Sequence, residues 1–216
     1  MMKIKLTAKH LSPKTHAVIV AISLIVFSLV AAQASRHTLA GFEYSIFNAI
    51  YSLPSSLTPV FIVITLMGSV WMVLFTLLTS LVLKLNDLAV KILVNGTAVY
   101  LAVKITKMII ARPRPISLHE SIVQRDALVS GFSFPSGHTT MATVLVLTIL
   151  PYLPKRYYWI VPVWIIAVAF SRIYLGVHAP LDVIGGFALG LIIVSFQHVI
   201  SSKRQTKQIT NATNAA

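Results

Sequence analysis

Residues 157–200, YYWIVPVWIIAVAFSRIYLGVHAPLDVIGGFALGLIIVSFQHVI, decide the fold. Two apolar runs, 157–175 and 181–200, flank a short segment holding His178, and the charged Arg172 and Asp182 stand in the runs close to its two sides. Each has the length that takes an α-helix across a bilayer, about 20 mostly apolar residues. Four more runs of this kind precede them, at roughly 17–34, 57–83, 88–111 and 138–153. The pattern predicts an all-α fold, a polytopic membrane helix bundle with six transmembrane helices. The second run is long enough to tilt, and the fourth is short unless its ends extend.

Composition agrees. Of 216 residues, 56% are hydrophobic and 11% charged, and the mean hydropathy is +0.84. A soluble domain has about a quarter of its residues charged. This chain cannot cover a water-facing surface, so the bilayer is part of its solvent. Residues 1–216 read as a single membrane-embedded domain, with 1–16 a cytoplasmic N-terminus and 201–216 a polar, unstructured cytoplasmic tail. The net charge of +13 would raise nucleic acid as a partner in a soluble protein. Here the basic residues sit mostly between apolar runs, where they set topology, and no nucleic acid is expected. With no cysteine, disulfides and thiolate metal sites drop out.

Alternating spans sort the basic residues into two sets. One side holds Lys3, Lys5, Lys9, Lys14, Lys84, Lys91, Lys155, Arg156, Lys203, Arg204 and Lys207; the other holds Arg36, Lys104, Lys107, Arg112, Arg114, Arg125 and Arg172. The richer side is expected in the cytoplasm, with both termini, in a plasma membrane of bacterial type. The first run admits a second reading, since Ala32-Gln33-Ala34 before Ser35 resembles a signal-peptide cleavage site. The run is longer than the usual core of such a peptide, which favours a retained helix. Between the first two spans, Leu39, Phe42, Ile46 and Ile50 fall at helical spacing among Arg36, Glu43 and Asn48. That spacing fits a helix lying in the outer interface, and equally a packed connecting segment.

Charged residues near spans are costly and point to function. They form three clusters, all at the outer ends of helices in this topology. The first is Lys107, six residues, then Arg114-Pro115, with Lys104 one turn before Lys107. An ammonium and a guanidinium fork suit a phosphate dianion, although basic residues at a helix end can also merely reach the headgroups. The second is Phe134-Pro135-Ser136-Gly137-His138, opening the fourth span. A helix start offers free N–H groups to an anion; Ser136 adds a hydroxyl and Gly137 lets the backbone come close. The third is Ser171-Arg172, five residues, His178, three residues, Asp182. Asp182 is placed to orient the imidazole of His178, although an acid in a helix's first turn is favourable anyway.

Taken together, these clusters resemble the three-part signature of the type 2 phosphatidic acid phosphatase family, whose superfamily also holds glucose-6-phosphatase and the soluble vanadium haloperoxidases. Every signature position is matched, in order and spacing, across residues 107–182. The resemblance implies a metal-independent lipid phosphate phosphatase without cofactor. Its substrate would be phosphatidic acid, phosphatidylglycerophosphate, diacylglycerol pyrophosphate or undecaprenyl pyrophosphate. The residues and the resemblance agree on a two-step transfer. Lys107, Arg114, Ser136, Gly137 and Arg172 hold the phosphate, His178 attacks phosphorus, Asp182 fixes its tautomer, and His138 is the general acid and then the base. No metal is expected, since no carboxylate cluster suits magnesium. His10, His16, His37, His119 and His198 read as ordinary. Two other functions use the same residues. A lipid-linked phosphotransferase would pass the phosphate to another acceptor, and an anionic-lipid transporter or binding protein would need no His–Asp pair.

Overall fold

The computed structural model describes residues 12–39, 41–127 and 129–214, with side chains as far as Ser201. Lys3, Lys5 and Lys9 lie outside the described residues, as do the side chains of Lys203, Arg204 and Lys207. Among the described residues all regular structure is helical: α1 (Pro13–Ala34), α2 (Gly41–Tyr51), α3 (Thr58–Leu66), α4 (Val70–Val82), α5 (Asn86–Ile110), α6 (Pro115–Leu118), α7 (Gly137–Ile149), α8 (Ile160–Tyr174) and α9 (Pro180–Asn214). Local chemistry sets several ends. Ser12 caps α1 by accepting from the Thr15 N–H at 3.1 Å, and Pro13 occupies the first turn. α5 stops at Ala111, which is left-handed at φ 49°, just ahead of Pro113 and Pro115.

Large apolar side chains cover the outside: Leu29, Val63, Phe75, Ile109 and Ile166 are each more than 60% exposed. In water such a surface would aggregate; in lipid it is the required one, and the chain is an integral membrane protein. Among the described residues, four helices are long and apolar enough to span a membrane, and the bent pair Gly41–Tyr51 with Ser55–Leu66 makes up to five. Two of the runs expected to span are less regular. The run 57–83 is broken at Met67-Gly68-Ser69 into α3 and α4, and the run 138–153 gives only the 13 residues of α7 before Pro151. α7 can be short because it sits inside the bundle, against α5, α8 and α9, with Thr139, Thr140, Ala142, Thr143 and Val144 all buried.

The break in the second run has a packing cause. A Cβ on Gly68 would lie 2.5 Å from the backbone oxygen of His138 and 2.8 Å from Val168 Cγ1, so only glycine lets this segment touch the start of α7. The backbone groups freed by the break find partners. Trp164 Nε1 donates to the Met67 oxygen at 3.1 Å, and Ser69 Oγ to the Leu66 oxygen at 2.7 Å. Gly68→Ala is accordingly expected to destabilise the protein by about 1–3 kcal/mol through overpacking. A lower melting temperature in detergent would register it; an unchanged one would mean the break can move aside.

α2 forms where the spacing allows, but its faces differ from the expected set. Phe47 is fully buried and Leu39, ahead of the helix, packs with it, whereas Phe42 is 81% exposed. At the other end the polar tail is not irregular. α9 continues through it to Asn214, because 201–214 contains no glycine or proline and several good helix formers. Two of the remaining histidines fasten loops to carbonyls: His37 Nε2 lies 2.8 Å from the Ile110 oxygen and His119 Nε2 lies 2.6 Å from the Leu39 oxygen.

Candidate active site

The three sequence clusters meet at one end of the bundle. Arg114 reaches the third cluster by donating from NH1 to the Val177 oxygen at 2.7 Å. Ser136 joins the second cluster to the third, its N–H donating to the Asp182 oxygen at 2.9 Å. Segments 63 residues apart are thus tied through Arg114, and Ser136 and Asp182 by main-chain atoms alone; of the eight expected residues, Lys107, Gly137 and His138 line one cavity.

His178 lies between α8 and α9 and is 2% exposed. Its Nδ1 faces Asp182 Oδ2 at 3.4 Å and Ser133 Oγ at the same distance, which leaves Nε2 as the nitrogen available for chemistry. Burial, reinforced by the cations of Arg114 and Lys107 and opposed by Asp182, holds the imidazole well below its ordinary range. At neutral pH it is uncharged and carries a lone pair.

Asp182 has no exposure and is saturated with donors. Oδ2 accepts from the Ala179 N–H at 2.8 Å and from Ser133 Oγ, while Oδ1 accepts from Arg112 NH1 at 2.8 Å. A carboxylate held by that many donors stays ionised and fixed in direction.

The basic residues divide by how much of each is already committed. Arg114 donates Nε to the Gly131 oxygen at 2.8 Å and NH2 to the Ser130 oxygen at 2.9 Å, so it shapes the 130–133 segment. Lys107 donates to the carbonyls of Phe132 and Ser133 in the same segment. Arg172 is different. NH1 is held by Thr65 Oγ1 at 2.8 Å and Asp126 Oδ2 at 3.0 Å, whereas Nε and NH2 are buried without a partner among the described residues. That pair is one edge of the guanidinium, the geometry that grips two oxygens of one phosphate.

Ser136 caps α7, its Oγ accepting from the Thr139 N–H at 3.4 Å and from Thr139 Oγ1 at 3.1 Å. His138 follows in the first turn. Together with Gly137 and Lys107 it lines a cavity of about 900 Å³. From there the cavity descends between α4 and α5 past Val73, Leu77 and Ile92, and its walls are mostly apolar.

Four residues of this region were not expected from sequence: Glu43, Arg112, Asp126 and Ser133. A usable signal existed for two of them. The chain has only five acids, and an acid that survives in so apolar a sequence is a candidate wherever it falls. Glu43 and Asp126 are both paired with arginines at this site. Ser133 carries no such signal.

Fold and site define a membrane helix bundle with a cationic, histidine-bearing pocket opening onto an apolar cleft. The chain belongs to the PAP2 superfamily, whose family model matches residues 87–206, a segment holding all eight expected site residues. It is similar to an undecaprenyl-diphosphatase of Sulfolobus acidocaldarius, at 31% identity over 106 residues, covering 49% of this chain and 52% of that protein. It is also similar to phosphatidylglycerophosphatase B of Bacillus subtilis, at 45% identity over 74 residues, covering 30% of this chain and 36% of that protein. The chain thus spans about half or less of the length of these curated relatives. Among solved structures, a transmembrane PAP2-type phosphatidylglycerolphosphate phosphatase from Bacillus subtilis superposes with a TM-score of 0.69 at 28% identity, covering 85% of this chain and 96% of that one.

Proposed function

We propose that the protein is a metal-independent lipid phosphate phosphatase working through a phosphohistidine. What carries this reading is the buried His178 backed by Asp182, together with a guanidinium edge of Arg172 that has no partner among the described residues. In the first step Nε2 of His178 bonds to phosphorus as the bond to the lipid oxygen breaks, and His138 gives that oxygen its proton. In the second, His138 takes a proton from water, which attacks phosphorus and releases inorganic phosphate with free His178. Arg172, Lys107 and Arg114, with the Ser136 hydroxyl and the Gly137 N–H, carry the charge on the equatorial oxygens. Asp182 holds the tautomer with hydrogen on Nδ1 and stabilises the ring while it is positive.

The substrate class follows from the cleft below the site, whose apolar walls suit hydrocarbon chains. Phosphatidic acid, phosphatidylglycerophosphate, diacylglycerol pyrophosphate and undecaprenyl pyrophosphate all present a terminal phosphate on such chains, and the names of the relatives fall within this set. We further assign six membrane passes, counting α3–α4 as one broken span and α7 as a short one. The charge bias supports an orientation with both termini in the cytoplasm and the site on the outer side, and we assign the membrane as a bacterial plasma membrane.

Purified protein in detergent is expected to release phosphate from at least one of phosphatidic acid, phosphatidylglycerophosphate and undecaprenyl pyrophosphate at an undiminished rate in EDTA. Loss of activity in chelator with recovery on adding magnesium would overturn the metal-independent mechanism. No release from any of the three would overturn the hydrolase reading.

A further inference from the structure

Behind Asp182 lies a chain of buried charge that the two-step mechanism does not use. Arg112 is fully buried and donates NH1 to Asp182 Oδ1 at 2.8 Å. The same guanidinium grips Glu43, with NH1 3.1 Å from Oε1 and NH2 2.7 Å from Oε2. NH2 also donates to the Thr38 oxygen at 2.7 Å, and Glu43 Oε1 accepts from the Leu181 N–H at 3.0 Å. Carboxylate, guanidinium and carboxylate therefore run in series from α2 to His178.

Resting on the phosphohistidine reading, we propose that Glu43 and Arg112 are positioning residues that set the charge felt by the nucleophile. Arg112 alone would hold Asp182 rigidly but cancel its charge, leaving nothing to stabilise the imidazole as it turns positive on bonding to phosphorus. Glu43 restores one net negative charge to the cluster while keeping Arg112 paired. A purely mechanical tie between α2 and α9 would need neither carboxylate, since apolar packing serves at least as well as a buried ion pair.

The groups facing His178 are Asp182 from α9, Lys107 from α5 and Arg114 at the start of α6, with Arg112 and Glu43 behind Asp182. Glu43→Gln changes only the last of these and nearly keeps its shape. Removing negative charge disfavours the imidazolium, which has two consequences. The transition state is less stabilised, so kcat falls by about 10- to 100-fold with KM within about twofold. His178 also protonates at lower pH, so the acid limb of kcat/KM moves down by about half a unit or more. Substrate ionisation is common to both proteins and cancels in the comparison.

Glu43→Asp retains the charge with a shorter reach, and its limb is expected at the wild-type position even if its rate drops. An unchanged rate in Glu43→Gln, a loss of rate with an unmoved limb, or the same limb shift in both variants would each overturn the proposal. Failure of the phosphatase reading looks different: wild-type protein would then release no phosphate, or His178→Ala would release it as well.

Discussion

His178→Ala is expected to reduce phosphate release by on the order of 10⁵-fold or more, and to abolish trapping of labelled phosphate on the protein. The size follows from the role, because without the imidazole there is no nucleophile for the first step and no intermediate for the second. The remaining site survives the substitution. Asp182 keeps Arg112, Ser133 and the Ala179 N–H as partners, so the carboxylate stays fixed and compensated. Melting temperature should therefore change far less than activity. Alkaline quenching of enzyme mixed with labelled lipid, followed by separation of the protein, reads the intermediate directly, since phosphohistidine survives base. A variant with more than about a hundredth of the wild-type rate would remove His178 as nucleophile and favour direct attack by water, with His138 as base.

Arg172→Lys is expected to lower kcat/KM by about 10²–10³-fold with the fold intact. Lysine keeps the positive charge and can reach one of Thr65 and Asp126, which now hold NH1 at 2.8 and 3.0 Å. What it lacks is the second edge, the buried Nε and NH2 that have no partner among the described residues. If that edge grips two equatorial oxygens, losing it affects the transition state, where their charge is greatest, more than the bound substrate. kcat should then fall more than KM rises. Activity within threefold of wild type would assign the phosphate to Lys107 and Arg114, whose donors would have to be released from the 130–133 carbonyls.

His178 and Arg172 are set out by spacing: an arginine at a helix end, then a histidine and an acid four residues apart at the next helix start. What Arg172 does with its two edges cannot be read from spacing, because it depends on Thr65 and Asp126, which lie 107 and 46 residues away. Arg114 shows the converse. Its motif marks it as a phosphate ligand, yet its donors are largely occupied by backbone carbonyls, and this is decided by the path of the loop 119–136.

The class of the protein is legible in the chain alone. Apolar runs of bilayer length, too few charges for a water-facing surface, and three clusters of fixed spacing are local properties of the chain, and hydrophobic transfer acts on them wherever they fold. Tertiary structure decided the rest. The second run breaks at Gly68 because the backbone must pass the start of α7, and α7 is short because other helices bury it. Asp182 is backed by Arg112 and Glu43 because α2 docks beside α9. Each is a contact between segments far apart in sequence, and the strength of a buried charge depends on which partners the fold brings within hydrogen-bond reach.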